Sequence, residues 1–209
     1  MFLQYIASIA EVLPIIFYLL FLKRNRGEGL GVIFWYCVLS LLTEFAFLFM
    51  KQQLVYSSFT ILEFSFFSFF FYTSLTEKKF KLIPIIGVVL FYIVAISSFT
   101  SKRFDSLPTS VEALLVIAYC ILLLYEQMKD PAVGFVYNTK KFWIIIAFFI
   151  YFSATLFLFV YTGMLSEADR QRYWPINNFF EMLKNIFFCI SFIMKKRPNS
   201  LYVADGIDN

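Results

Sequence analysis

The chain has 209 residues, 61% of them hydrophobic and 15% charged, with a formal charge of +4 and a mean hydropathy of +0.76. Soluble domains carry about 45–50% apolar and about 25% charged residues, so this composition excludes a water-soluble globule, a disordered chain and a nucleic-acid-binding domain. What remains is an all-α integral membrane protein. The chain has no His, which removes the commonest general base and metal ligand. Cys37, Cys120 and Cys189 stand far apart in apolar stretches without a CxxC. They read as core residues rather than a disulfide framework or a zinc site.

A bilayer core needs about 20 mostly apolar residues per helix. Seven stretches meet that need, at 2–22, 30–50, 54–75, 82–100, 109–128, 142–164 and 174–194. The first has no basic leader, carries Glu11 in mid-span and lacks a small-residue cleavage site before Lys23, so it reads as a retained helix rather than a signal peptide. Pro14 frees a backbone carbonyl there and favours a kink. In the third stretch the run Phe66 to Phe71, broken by Ser68, reads as lipid-facing and packing surface, or as the wall of a lipid or polyene groove. The fourth stretch is the least polar. In the fifth, Glu112 and Glu126 lie near the ends and are expected to reach the interface. Ahead of the seventh, Ser166 and Asp169 have capping-box spacing, predicting a turn of interfacial helix over 166–174. Residues 1–197 thus form a single seven-helix transmembrane domain, followed by a short cytoplasmic tail at 198–209.

Orientation follows from the basic residues in the connections. Lys23, Arg24, Arg26, Lys78, Lys79, Lys81, Lys129, Lys140, Lys141, Lys195, Lys196 and Arg197 fall on one side, twelve in all. The other side has five: Lys51, Lys102, Arg103, Arg170 and Arg172. The bias places the N-terminus outside and the C-terminus in the cytoplasm, and the odd helix count agrees.

The first three and last three stretches align weakly. Glu11 falls on Glu112, Tyr18 on Tyr119, Phe34-Trp35 on Phe142-Trp143, and Glu63 on Glu181 with Tyr56 on Trp174. The fourth stretch is left as a linker, giving a 3+1+3 plan of two parallel repeats.

The functional signal lies in polar residues at membrane depth. A charge at mid-bilayer costs about 2.5–3.5 kcal/mol on insertion scales, so four ionised carboxylates facing lipid would cost on the order of 10 kcal/mol. Glu11, Glu44, Glu63 and Glu181 must therefore face inward, pair or hold protons. Their neighbours share a helical face: Gln4, Ser8, Glu11 and Tyr18; Cys37, Ser40 and Glu44; Tyr56, Thr60 and Glu63; Asn177, Glu181, Lys184 and Ser191, with Asn178 and Asn185 beside them. Tyr151 and Thr155 supply the sixth helix. The faces are expected to converge on a polar cavity in the outer half of the membrane. Carboxylates with amides and hydroxyls suit a cation, a proton relay or an amine. Lys184 suits an anionic group or serves as counter-ion to Glu181 one turn away. The competing reading is interhelical hydrogen-bond glue, at about 0.6 kcal/mol per bond.

Glu11-Val-Leu-Pro, Thr43-Glu44, Phe59-Thr-Ile-Leu-Glu63-Phe and Lys184-Asn185 together resemble a set of small seven-helix inner-membrane proteins common in Bacteroidota. The resemblance implies the fold and a multi-pass inner-membrane location. Microbial rhodopsins share seven helices and a Lys in the seventh, with Glu63 as the matching carboxylate. The sixth helix has no Trp-x-x-Tyr-Pro pattern, however, and position 180 is Phe rather than an acid. Sugar transporters of the SWEET type share the 3+1+3 plan, but their Pro-Gln signature is absent.

The expected function is a binder or carrier of a small solute, ion or lipid through Glu11, Glu44, Tyr56, Thr60, Glu63, Asn177, Asn178, Glu181 and Lys184. The alternative is a membrane sensor or an accessory subunit of a larger complex. Partners are then membrane lipids or a membrane protein, and no cofactor is assigned. An intramembrane enzyme is disfavoured, because there is no metal set, no Ser-x-Gly elbow and no His.

Overall fold

In the computed structural model the described residues are 2–26, 29–47, 49–50, 52–99, 106–129, 135–162 and 164–195. The expected tail 198–209 and the loop cations Lys51, Lys102, Arg103, Lys196 and Arg197 lie outside them, as do the side chains of Gln4 and Arg170. Among the described residues the structure is all helix. Its elements are α1 (Phe2–Leu20), α2 (Leu22–Asn25), α3 (Gly31–Ala46), α4 (Gln52–Ser74), α5 (Lys78–Phe99), α6 (Ser106–Lys129), α7 (Lys140–Thr162) and α8 (Glu167–Ile193), with a short 3-10 turn at Val136–Asn138.

Each of the seven apolar stretches coincides with one long helix. Four of these are long and apolar enough to cross a membrane: Val55–Ser74, Lys78–Ser98, Ser106–Lys129 and Lys140–Tyr161. The chain is a multi-pass membrane protein on that ground. Ile6–Leu20 and Gly31–Ala46 are apolar but shorter. Helix α8 has 27 residues, about 40 Å at 1.5 Å per residue. It is polar because it carries Asn177, Asn178, Lys184, Asn185 and Ser191 into the interior.

Helices α1, α3, α4, α6, α7 and α8 pack side by side in a closed ring, and α5 lies outside it against α4 and α6. The least polar stretch is thus the most peripheral helix. It leaves Leu82, Ile86, Val89, Leu90, Ile93 and Ile96 exposed, as a lipid-facing helix requires. Its close approach to α6 depends on Gly87, because a Cβ there would overlap the Tyr119 hydroxyl.

The core is aromatic. Phe67 lies 4.5 Å from Phe148 and 4.7 Å from Tyr36, ring centre to ring centre. Phe148 is 5.3 Å from Phe188. The Phe run of α4, expected as lipid-facing and packing surface, divides between the two: Phe67, Ser68, Phe70 and Phe71 are buried and Phe69 is exposed. Four of the ring helices meet at this run, so its two sides face different surroundings.

Three connections carry local structure of their own. Residues 22–25 form a helical turn inside the first loop. The expected interfacial turn at 166–174 is the start of α8. The Ser166 hydroxyl accepts the Asp169 backbone N–H at 3.2 Å and donates to its Oδ2 at 2.6 Å, and the helix continues through Pro175. Glu126, in the last turn of α6, is buried against the α4–α5 connection. Its Oε1 accepts the backbone N–H groups of Thr76 at 2.9 Å and Glu77 at 2.6 Å, together with the Thr76 hydroxyl. An acid of α6 therefore caps the N-terminus of α5, where unpaired donors and the helix dipole favour negative charge.

Cations close the opposite kind of helix end. Arg24 Nε donates to the carbonyl of Met194, just past α8, at 2.8 Å. Lys140 Nζ donates to the Arg24 carbonyl at 2.8 Å and to Asn25 Oδ1 at 3.0 Å. Lys141 Nζ donates to the carbonyl of Ser74, the last residue of α4, at 3.4 Å. These contacts tie α2, α4, α7 and α8 together at one end of the bundle.

Candidate functional site

Helical spacing decides which side chains meet inside the ring. Along α8, Asn177, Glu181, Lys184 and Asn185 recur every three to four residues and share one face. Lys184 is 2% exposed. Its ammonium donates to the Tyr36 hydroxyl of α3 at 2.7 Å and to Glu181 Oε1 at 3.5 Å. It also lies 4.4 Å from the centre of the Tyr151 ring and 5.2 Å from that of Tyr36, in reach of cation–π attraction from both. The Tyr36 hydroxyl donates in turn to Glu63 Oε1 of α4 at 2.9 Å. Beside this chain, the Tyr151 hydroxyl of α7 donates to Asn177 Oδ1 at 3.1 Å. Four helices are thereby joined through one ammonium and two tyrosines.

Two more acids lie in the field of the same lysine. Glu11 of α1 is 6% exposed. It lies beside Ser40 of α3 and in the field of Glu181, Glu44 and Lys184. Glu112 of α6 is 1% exposed and feels the charges of Glu63 and Lys184. Its expected position near an interface is corrected, because α6 starts at Ser106 and places Glu112 nearly two turns inside. Both carry a buried oxygen without a hydrogen-bond partner, Oε2 of Glu11 and Oε1 of Glu112. Such an oxygen costs about 1–3 kcal/mol, more when charged. Buried polar atoms are usually paired, and these two are carboxylate oxygens in the field of Lys184, so they mark where a donor or cation belongs.

The remaining predicted residues divide. Asn178 is buried on α8. Thr60 is buried, but its hydroxyl donates to the Tyr56 carbonyl of its own helix at 3.0 Å, so it serves the backbone. Tyr56 packs against Phe47 at 4.6 Å. Glu44 is exposed toward the end of α3, eight residues or about 12 Å along the helix from Tyr36. The acids therefore run from the exposed end of α3 to the buried lysine. Tyr36 and Glu112 were not among the expected site residues. The four-residue spacing of Tyr36, Ser40 and Glu44 was the available signal for the first. The alignment of Glu112 with Glu11 was the signal for the second.

Among the described residues, five carboxylates lie around one ammonium. Glu44 is exposed, and of the four acids farther inside the ammonium can balance one, so protons or a bound cation must balance the rest. Among the described residues no three acids or thiols come together as a metal-ligand set. The acids surround a volume on several helices rather than converging on a point. Cys37, Cys120 and Cys189 are buried free thiols. In comparisons with known proteins, the chain matches no family model, no curated protein and no solved structure.

Proposed function

We propose that the chain is a seven-span inner-membrane protein that binds or carries a small cationic solute, proton or amine through Glu11, Glu44, Glu63, Glu112 and Glu181 around Lys184. One observation carries the reading: the buried, unpartnered oxygens of Glu11 and Glu112 lie in a field that, among the described residues, holds a single ammonium. Interhelical glue would pair such oxygens. A site for a cation leaves them open until the ligand arrives. Glu44 and Tyr56, toward one end, supply the approach, and the excess of basic residues in the connections at the other end supports this end being outside.

The 3+1+3 repeat fits the same reading. Its aligned acids play matching parts: Glu11 and Glu112 carry the open oxygens, while Glu63 and Glu181 lie at the two ends of the Tyr36–Lys184 chain. The linker helix of that plan is the peripheral α5.

Native mass spectrometry on gently extracted protein tests the proposal. The expected result is a small-molecule adduct of fixed mass that is lost in both Glu11→Gln and Glu112→Gln. A protein co-purifying at fixed ratio, with no small adduct, would make the chain a subunit of a complex instead.

A further inference from the structure

A second feature lies apart from the acids, toward the opposite end of α3. A groove of about 470 Å³ opens on the outside of the bundle between α1, α3 and α4. Its body is apolar and aromatic: Tyr18, Val32, Trp35, Phe66 and Phe69. Trp35 and Phe69 are exposed there, on a surface that would face acyl chains. Its other end is lined by Asn25, Arg26 and the glycines 29 and 31.

That end offers donors. Asn25 is 1% exposed, and its Oδ1 is already occupied by Lys140. Its Nδ2 is buried with no acceptor. Arg26 is exposed at the groove, and the neighbouring Arg24 carries a buried Nη2 with no acceptor. The segment 23–28 holds three basic residues and one acid. A buried amide donor, a guanidinium and an apolar trough in line call for one molecule with an anionic, acceptor-rich head and a hydrocarbon tail.

We propose that this groove is a binding site for an anionic glycerophospholipid. The phosphate takes the Asn25 amide and the Arg26 guanidinium, and one acyl chain lies along Trp35, Phe66 and Phe69. The site is independent of the acidic cluster and of the cation it is proposed to bind.

Native mass spectrometry of delipidated protein, titrated with phosphatidylglycerol or with phosphatidylcholine of the same chains, tests this. One surface arginine near an anionic headgroup contributes about a fivefold preference. Wild type is expected to take one phosphatidylglycerol at least about fivefold more tightly than phosphatidylcholine. Arg26→Gln should bring the two lipids near parity. Gly31→Leu should weaken both by filling the trough. A Cβ at Gly31 meets only the Tyr18 hydroxyl, at an ordinary 3.5 Å, so the branch point is accommodated, and an unfolding midpoint equal to wild type checks that the variant is folded. Equal affinities in wild type, or a preference that survives Arg26→Gln, would overturn the proposal. So would displacement of the lipid by equimolar glycerol 3-phosphate, which would make the site one for free phosphate.

Discussion

Lys184 and Glu63 are joined through a single oxygen: the Tyr36 hydroxyl accepts from the ammonium at 2.7 Å and donates to the carboxylate at 2.9 Å. Tyr36→Phe keeps the ring against Phe67 and Phe188 but removes that oxygen. It leaves Glu63 without its donor and Lys184 with one fewer acceptor. The expected cost is about 1–3 kcal/mol, read as a lower midpoint of unfolding in mild detergent. Unchanged stability would show that the relay contributes nothing to the fold.

Among the described residues Lys184 is the one cation amid five acids, so its removal should cost more than that of any single acid. Lys184→Met is expected to lose about 3–5 kcal/mol, the range for breaking a buried pair. Adding Glu63→Gln and Glu181→Gln to it should recover part of that loss, because fewer carboxylates then lack compensation. A double-mutant cycle measures the coupling. Strictly additive losses would mean that the lysine and the acids act separately.

Glu126 holds the start of α5 by accepting two backbone N–H groups and the Thr76 hydroxyl. Glu126→Ala should destabilise by about 1–2 kcal/mol, as lost helix caps do. Glu126→Gln, which retains an acceptor, should cost less. Hydrogen exchange at Thr76 and Glu77 should rise more in the alanine variant than in the glutamine one. Equal exchange in wild type and both variants would remove the capping assignment.

Gly87 and Tyr119 test the seat of α5 on the ring. Gly87→Ala puts a methyl into the Tyr119 hydroxyl and should cost about 1–3 kcal/mol, as overpacking does. Tyr119→Phe removes the obstructing oxygen, though the ring carbon that bore it stays 2.9 Å from the new methyl, and should restore part of the loss when combined with Gly87→Ala. Failure of the rescue would place the strain elsewhere.

The helices were legible because an apolar stretch of about 20 residues has few alternatives. Their inward faces were legible because a buried acid must turn from lipid, and three- and four-residue spacing then names its companions. This brought Glu11, Glu63, Glu181 and Lys184 forward. Tyr36 was hidden because it stands beside Phe34 and Trp35 in a chain where aromatic residues are everywhere, so its hydroxyl gave no contrast. Glu112 was misjudged by depth. The start of its helix was taken at 109, whereas Pro108 sits in the first turn of α6, where proline is tolerated, and moves the acid inward. The capping role of Glu126 was hidden because the sequence does not show that another helix begins beside it. The division of the Phe run into buried and exposed sides depends on which helices surround α4, and that is a property of the closed ring.

The central claim is that the acids around Lys184 form a cation site. It is tested most directly by carbodiimide labelling, a reaction of carboxyls that hold a proton in apolar surroundings, on protein in lipid nanodiscs. Sodium, potassium, methylammonium or guanidinium is added as competitor, and the labelled residues are mapped by mass spectrometry. The account predicts that label collects on Glu11 and Glu112 and that at least one of these cations suppresses it at both positions together. Label absent from both, or unchanged by every cation in the panel, would contradict it.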